Sequence, residues 1–151
     1  AAALKIGACL AGATMEDAEK LSDSGVSMGL AFQLQDDWLD VYGDPKVFGK
    51  NIGGDILCNK KTYMLITALN QADDKQSEEL QRWISATDAE PAEKISAVTH
   101  IYNEMRIGDQ CMAMADSYYA EGLALLDGIS LPAERKEMLK QFVCSLMNRK
   151  V

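Results

Sequence analysis

The stretch Phe32–Asp55, FQLQDDWLDVYGDPKVFGKNIGGD, runs an acid-bearing helical pattern into a glycine-rich loop closed by another acid. Nothing from Ser24 to Pro45 is basic, so no neighbour in sequence neutralises Asp36, Asp37, Asp40 and Asp44. Like charges spaced i, i+4 on a helix cost about 0.2–0.5 kcal/mol. Acids in a last turn oppose the helix macrodipole by about 0.3–1 kcal/mol each. A bound divalent cation would relieve both penalties.

With Asp36 set at zero and about 100° per residue, Asp40 falls near 40°, Gln33 near 60°, Asp44 near 80° and Asp37 near 100°. Leu34, Trp38, Leu39, Val41 and Tyr42 fill the rest of the circle. A helix this apolar is buried in a bundle and turns its polar stripe toward a cavity. Gly29, Val26, Ser22 and Gly25 continue the stripe toward the N-terminus, which predicts a carboxylate mouth above a narrow apolar trough. Carboxylates at i and i+4 suit Mg²⁺, which takes one or two of them and completes its octahedron with water and phosphate oxygens. Histidine and thiolate are missing from the stretch, which disfavours zinc, copper and iron–sulfur chemistry. DDxxD also occurs on many solvated helices, so a metal site and an acidic surface both remain open from spacing alone.

The loop does not make a P-loop: Asn51 stands where Ser or Thr would bind the metal, and Gly43 is one residue too far upstream. Lys50 is better placed as a point-charge donor to a phosphate oxygen. Lys60 and Lys61 add positive charge where the next helix begins, and a helix N-terminus itself attracts anions. Direct ion pairing between these lysines and the acids is the rival reading.

The 151 residues suffice for one domain with its own core, and 48% apolar content excludes a disordered chain. The longest apolar runs, such as Met64–Leu69, are too short to span a bilayer. A net charge of −8 argues against nucleic acid and anionic membranes as partners. Cys9, Cys58, Cys111 and Cys144 are far apart with no CxxC, and read as reduced, mostly buried thiols of a cytoplasmic protein. His100 is the sole histidine and has no evident nucleophile partner, so it reads as a surface or structural residue. Met105, Met112, Met114, Met138 and Met147 read as gap-filling core residues. Trp83 and Tyr118-Tyr119 read as core or rim. The chain opens at Ala1 inside a helical pattern, which leads us to expect a truncated piece of a longer polypeptide.

Apolar residues recur at helical spacing almost throughout, so the fold is expected to be all-α. Helices are predicted over Ala2–Ala13, from a Thr14 cap with Asp17 in a capping box to Tyr42, and over Thr62–Ala72. Others are expected at Ser77–Ser85, Ala92–Ile107, Asp109–Leu126 and from Pro132 onward. Gly43-Asp44-Pro45 stops the long helix, and a polar loop runs to Lys61. No internal repeat or linker divides the chain, so residues 1–151 are expected to form a single helical domain.

Phe32-Gln33, Asp36-Asp37-x-x-Asp40, Gly49-Lys50, Gly53-x-Asp55-Ile56 and Lys60 together resemble the trans-isoprenyl diphosphate synthases, or polyprenyl synthetases, which include farnesyl and geranylgeranyl diphosphate synthases. The match is to their second aspartate-rich motif and its loop, and the chain looks like the C-terminal half of such an enzyme. The resemblance implies a helical bundle of the isoprenoid synthase fold and a Mg²⁺-dependent condensation of an allylic diphosphate with isopentenyl diphosphate. It implies Asp36 as a direct metal ligand, with Asp37 and Asp40 as weaker or water-mediated ligands. Gln33 would orient the diphosphate, Lys50 and Lys60 would grip it, and Asp55 would hold metal waters or Lys50.

The family's first aspartate-rich motif, its following arginines and an upstream Lys-Thr pair are absent. Asp73-Asp74, followed by Lys75-Gln76-Ser77, is no substitute. The chain alone is therefore expected to be inactive, and to self-associate through apolar faces that a missing half would cover. Product length is set largely near the absent motif in this family. Arg149-Lys150 reads as a frayed tail or a reach toward an anionic ligand. Two further readings are a non-catalytic subunit or interaction module, and a helical scaffold with solvated acids.

Overall fold

The computed structural model describes residues 1–48 and 52–147. Among them there is no strand. The helices run α1 (Ala2–Leu10), α2 (Met15–Tyr42), α3 (Pro45–Phe48), α4 (Gly54–Leu57), α5 (Tyr63–Gln71), α6 (Asp74–Ser85), α7 (Pro91–Glu104), α8 (Ile107–Asp127) and α9 (Ala133–Met147). The chain is all-α, as its periodicity indicates. No described helix is long and apolar enough to cross a membrane.

Several boundaries depart from the sequence expectation, each for a local reason. Helix α1 ends at Leu10, three residues early, because Gly12 turns to a φ of 78°. The segment expected as a plain loop contains two short helices. Pro45 opens α3, with the Lys46 amide donating to Asp44 Oδ1 at 2.9 Å. Gly53, at φ 85°, turns the chain into α4. Helix α6 starts at Asp74 rather than Ser77, because Asp73 and Gln76 form a full capping box. Helix α7 stops at Glu104, where Arg106 at φ 53° breaks the helical path.

Contacts group the chain into two compact units. The first comprises Ala1–Gln33 with the described residues from Met114 onward. In it the Asp17 amide donates to Thr14 Oγ1 at 3.1 Å, which is the expected half of the capping box. The Asp17 carboxylate does not complete the box; it accepts the Ser130 amide at 3.0 Å instead. Ser24 Oγ donates to the Gly122 carbonyl at 2.8 Å. A Cβ on Gly122 would lie 2.9 Å from Met28 Cε, so glycine is what lets that side chain pack there. A cavity of about 330 Å³ opens in this unit, lined by Gly25 and Gly29 with apolar side chains such as Leu21, Phe32, Leu126 and Leu139. Of the anticipated trough residues, Val26 points outward and Ser22 does not line the cavity; Ser24 does.

The second unit is Leu34–Ala113. Its core includes Leu39, Met64, Leu80, Ile101, Ile107 and Cys111, all essentially removed from solvent. Thr62 caps α5 by accepting the Leu65 amide at 3.2 Å. Tyr42 stacks obliquely on Trp38, with ring centroids 5.2 Å apart, and donates to Asn103 Oδ1 at 3.0 Å. Gly108 has no room for a Cβ, which would stand 2.8 Å from the Tyr42 ring.

The cysteines and methionines differ from expectation. Cys9 and Cys58 are exposed, Cys144 is half-buried and only Cys111 is buried; all four are free thiols. Met138 is 74% exposed and Met114 also reaches the surface, so neither fills a core. His100 is a surface residue, 3.5 Å from Glu104. Burial, aided by the charge of Asp37, pushes the Cys111 thiol up to about 12. An aromatic disulfide reagent at pH 8 should therefore modify Cys9 and Cys58 at once and Cys111 only after unfolding in guanidinium. Rapid reaction of Cys111 in the folded protein would contradict this packing.

Candidate functional site

The carboxyl-terminal turns of α2 carry three acids into the second unit, and they do not share one environment. Asp37 is 5% exposed, while Asp36 and Asp40 are half-exposed. Asp36 and Asp40, one turn apart, share a helix face. Asp40 Oδ2 accepts the Asp55 amide at 2.8 Å, and the Gly53 amide donates to the Asp40 carbonyl. These bonds tie the end of α2 to the start of α4. They explain Gly53, which supplies the positive φ at this junction; at Gly54 a Cβ would meet Asp40 Oδ1 at 3.5 Å, an ordinary contact that does not require glycine.

Lys60 closes the arrangement. Its Nζ lies 2.9 Å from Asp37 Oδ1 and 2.8 Å from Asp55 Oδ2. Its amide donates to the Asp55 carbonyl at 2.9 Å. Its hydrogen bonds to Asp55 and Asp37 hold the ammonium well above the ordinary lysine range. Burial raises the Asp40 carboxyl above its ordinary value, the Asp55 charge adds to this, and the Asp55 amide and Lys60 oppose it. Stability tied to Asp40 is thus full below the ordinary carboxylate range and lost as pH rises through the raised value.

Of the residues singled out in sequence, Asp36, Asp37, Asp40, Asp55 and Lys60 belong to this unit. The direct ion pairing weighed as the rival for Lys60 is present: it is shared between Asp37 and Asp55. Gln33 is an exposed residue of α2. Lys50 and Arg149-Lys150 lie outside the described residues. Lys61 is exposed and enters none of the described ion pairs.

Donor chemistry here fits a hard cation, because the side chains on offer are carboxylates. Asp40, half-desolvated and pushed toward its neutral form, is a group that a bound cation would compensate. Among the described residues no three His, Cys, Asp or Glu side chains converge on one point. Water and ligand oxygens would therefore complete the sphere, as Mg²⁺ allows.

Sequence reading missed two residues of this unit. Lys94 is buried on α7, and its Nζ donates to Asn59 Oδ1 at 2.8 Å and to the Leu57 carbonyl at 3.4 Å. Asn59 sits at φ 53°, a left-handed position that asparagine tolerates. The signal for Lys94 was its register: with Val98, Ile101 and Tyr102 it occupies one buried face at i, i+4, i+7 and i+8.

Known proteins share this architecture. The chain is 33% identical over 141 residues to a short chain isoprenyl diphosphate synthase of Methanothermobacter thermautotrophicus, covering 93% of this chain and 39% of that protein. A crystal structure of geranylgeranyl pyrophosphate synthase superposes with a TM-score of 0.85 and 34% identity, covering 97% of this chain and 46% of that one. A polyprenyl synthase from Caulobacter crescentus CB15, complexed with calcium and isoprenyl diphosphate, gives a TM-score of 0.79 at 28% identity, over 96% and 44% of the two chains. The chain thus spans less than half the length of these proteins. The model of the polyprenyl synthetase family matches residues 1–105. On that match, and on the all-helical fold shared with solved prenyl synthases, the chain belongs to the polyprenyl synthetase family.

Proposed function

We propose that this chain is the C-terminal part of a Mg²⁺-dependent trans-prenyltransferase, one piece of a larger polyprenyl synthetase domain, that condenses an allylic diphosphate with isopentenyl diphosphate. The observation that carries the reading is the half-exposed carboxylate pair Asp36 and Asp40 on one helix face, with the Lys60 ammonium, itself still partly exposed, beside Asp40 at the same loop. A diphosphate–metal ligand requires both signs of charge in one place. Calcium and isoprenyl diphosphate in the Caulobacter relative support the ligand class.

In this reading Asp36 and Asp40 present carboxylate oxygens from one helix face, with Asp37 set behind them as the counter-charge of Lys60. Mg²⁺, when bound, supplies positive charge against the leaving diphosphate. Lys60 donates to a diphosphate oxygen, aimed by the same Asp37 and Asp55 contacts that hold it. Lys50 adds a second point charge and Gln33 orients the diphosphate. As the allylic C–O bond breaks, the electron pair leaves with the diphosphate. The allylic cation is attacked by the isopentenyl double bond, forming a C–C bond, and the departing diphosphate takes the proton. Asp55 holds Lys60 in place.

By itself the chain supplies one aspartate-rich motif, so we propose that it is inactive without the remainder of the synthase. Leu10 at 85% exposure, Ile6, Met138 and Phe142 support a homo-oligomeric tendency. A cytoplasmic location fits the free thiols. The test is calorimetry of inorganic diphosphate with the full-length synthase. Removing Mg²⁺ with EDTA should weaken binding at least about tenfold, the scale of one lost charge-assisted contact. Equal affinity with and without the metal would overturn the reading.

A further inference from the structure

Lys94 brings a positive charge into the interior of the second unit. It is 5% exposed, and among the described ion pairs none includes it. A buried ammonium is costly unless its donors are met. Here they are met by the two ends of one turn. The Leu57 carbonyl closes α4, where carbonyls lack helical partners and carry partial negative charge. Asn59 Oδ1 lies two residues on, and the Asn59 amide group is fixed from its other side, donating to the Ile84 carbonyl at 3.0 Å. Lys60 follows immediately and reaches Asp37 and Asp55. Lys94, Asn59, Lys60 and Asp55 border a void of only about 10 Å³, roughly the space of one water and far too small for a diphosphate.

We propose that Lys94 is a positioning residue: its buried ammonium locks the turn at residues 57–59 and so fixes where Lys60 delivers its charge. It acts through the turn and never touches the ligand. The inference rests on the reading of Lys60 as a diphosphate donor. An apolar side chain of similar length would fill the same space without a desolvation cost, but it would leave Asn59 Oδ1 unpartnered and the turn free to shift.

The test is a double-mutant cycle in the full-length synthase, read by calorimetry of inorganic diphosphate with Mg²⁺. Lys60→Met should weaken binding about tenfold, and Lys94→Met, which keeps the stem, about three- to tenfold. In the Lys60→Met background, Lys94→Met should add less than about 1.5-fold, because there is no longer an ammonium to aim. The same penalty in both backgrounds, or none in either, would overturn the proposal. Unchanged binding in Lys60→Met alone would instead show that the underlying reading of Lys60 is wrong, and the proposal falls with it. If Lys94→Met does not fold, Asn59→Gly takes its place in the cycle with the same expectations; it keeps the left-handed backbone and removes the acceptor.

Discussion

If the proposed function holds, Asp36→Ala in the full-length protein should lower kcat/KM for prenyl transfer by at least about 100-fold, the scale of losing one preorganised charge contact at a reacting centre. Inorganic diphosphate should lose its Mg²⁺-dependent binding in the same variant. The helical circular dichroism should not change, because alanine is a better helix former than aspartate and Asp36 is not buried in the core. Asp37→Ala provides the contrast. It strips Lys60 of a nearly buried partner, so its loss of activity should come with a loss of stability. A kcat/KM for Asp36→Ala within threefold of the parent would remove this carboxylate from the site and leave the acids as a charged surface.

Gly53→Ala should cost about 3–4 kcal/mol of stability, read from the urea midpoint. Two causes add. At a φ of 85° a side chain is strained by about 1–2 kcal/mol. The new Cβ would also lie 2.6, 2.7 and 3.0 Å from Ile95 Cδ1, Cγ1 and Cγ2. With three atoms of one branched side chain in the way, rotating the Ile95 tip does not clear the space, so the backbone must give. That backbone donates to the Asp40 carbonyl and precedes Asp55. Truncating the obstacle in the pair Gly53→Ala/Ile95→Ala should therefore relieve the clash and leave the φ strain. A single variant as stable as the parent would refute the packing described around α4.

What could be read from sequence was whatever local chemistry decides. The apolar period gave the helices, and Thr14, Thr62 and Pro91 marked their starts because caps need only neighbours in sequence. Asp73 reads in sequence only as a possible motif acid, although Gln76 stands where a capping box needs it. The acids of α2 were legible as a stripe. Their different surroundings were not, because the burial of Asp37 and the Asp55 amide on Asp40 depend on how the loop folds back. Lys60 was noticed for its charge, but pairing with two acids 23 and 5 residues away is a tertiary fact. Lys94 was lost because a lysine in a helix reads as solvated. Cys9 and Cys58 were misjudged for the complementary reason: small thiols are usually interior, and these are not.

Cys58 sits on the turn that ends α4, two positions before Lys60, with its thiol directed at the Asp55 carbonyl 3.6 Å away. Nature has thereby left an attachment point for a spectroscopic reporter within the loop itself. With Cys9 replaced by serine, a nitroxide or fluorophore coupled there would report on this turn as inorganic diphosphate is added, without engineering any new anchor.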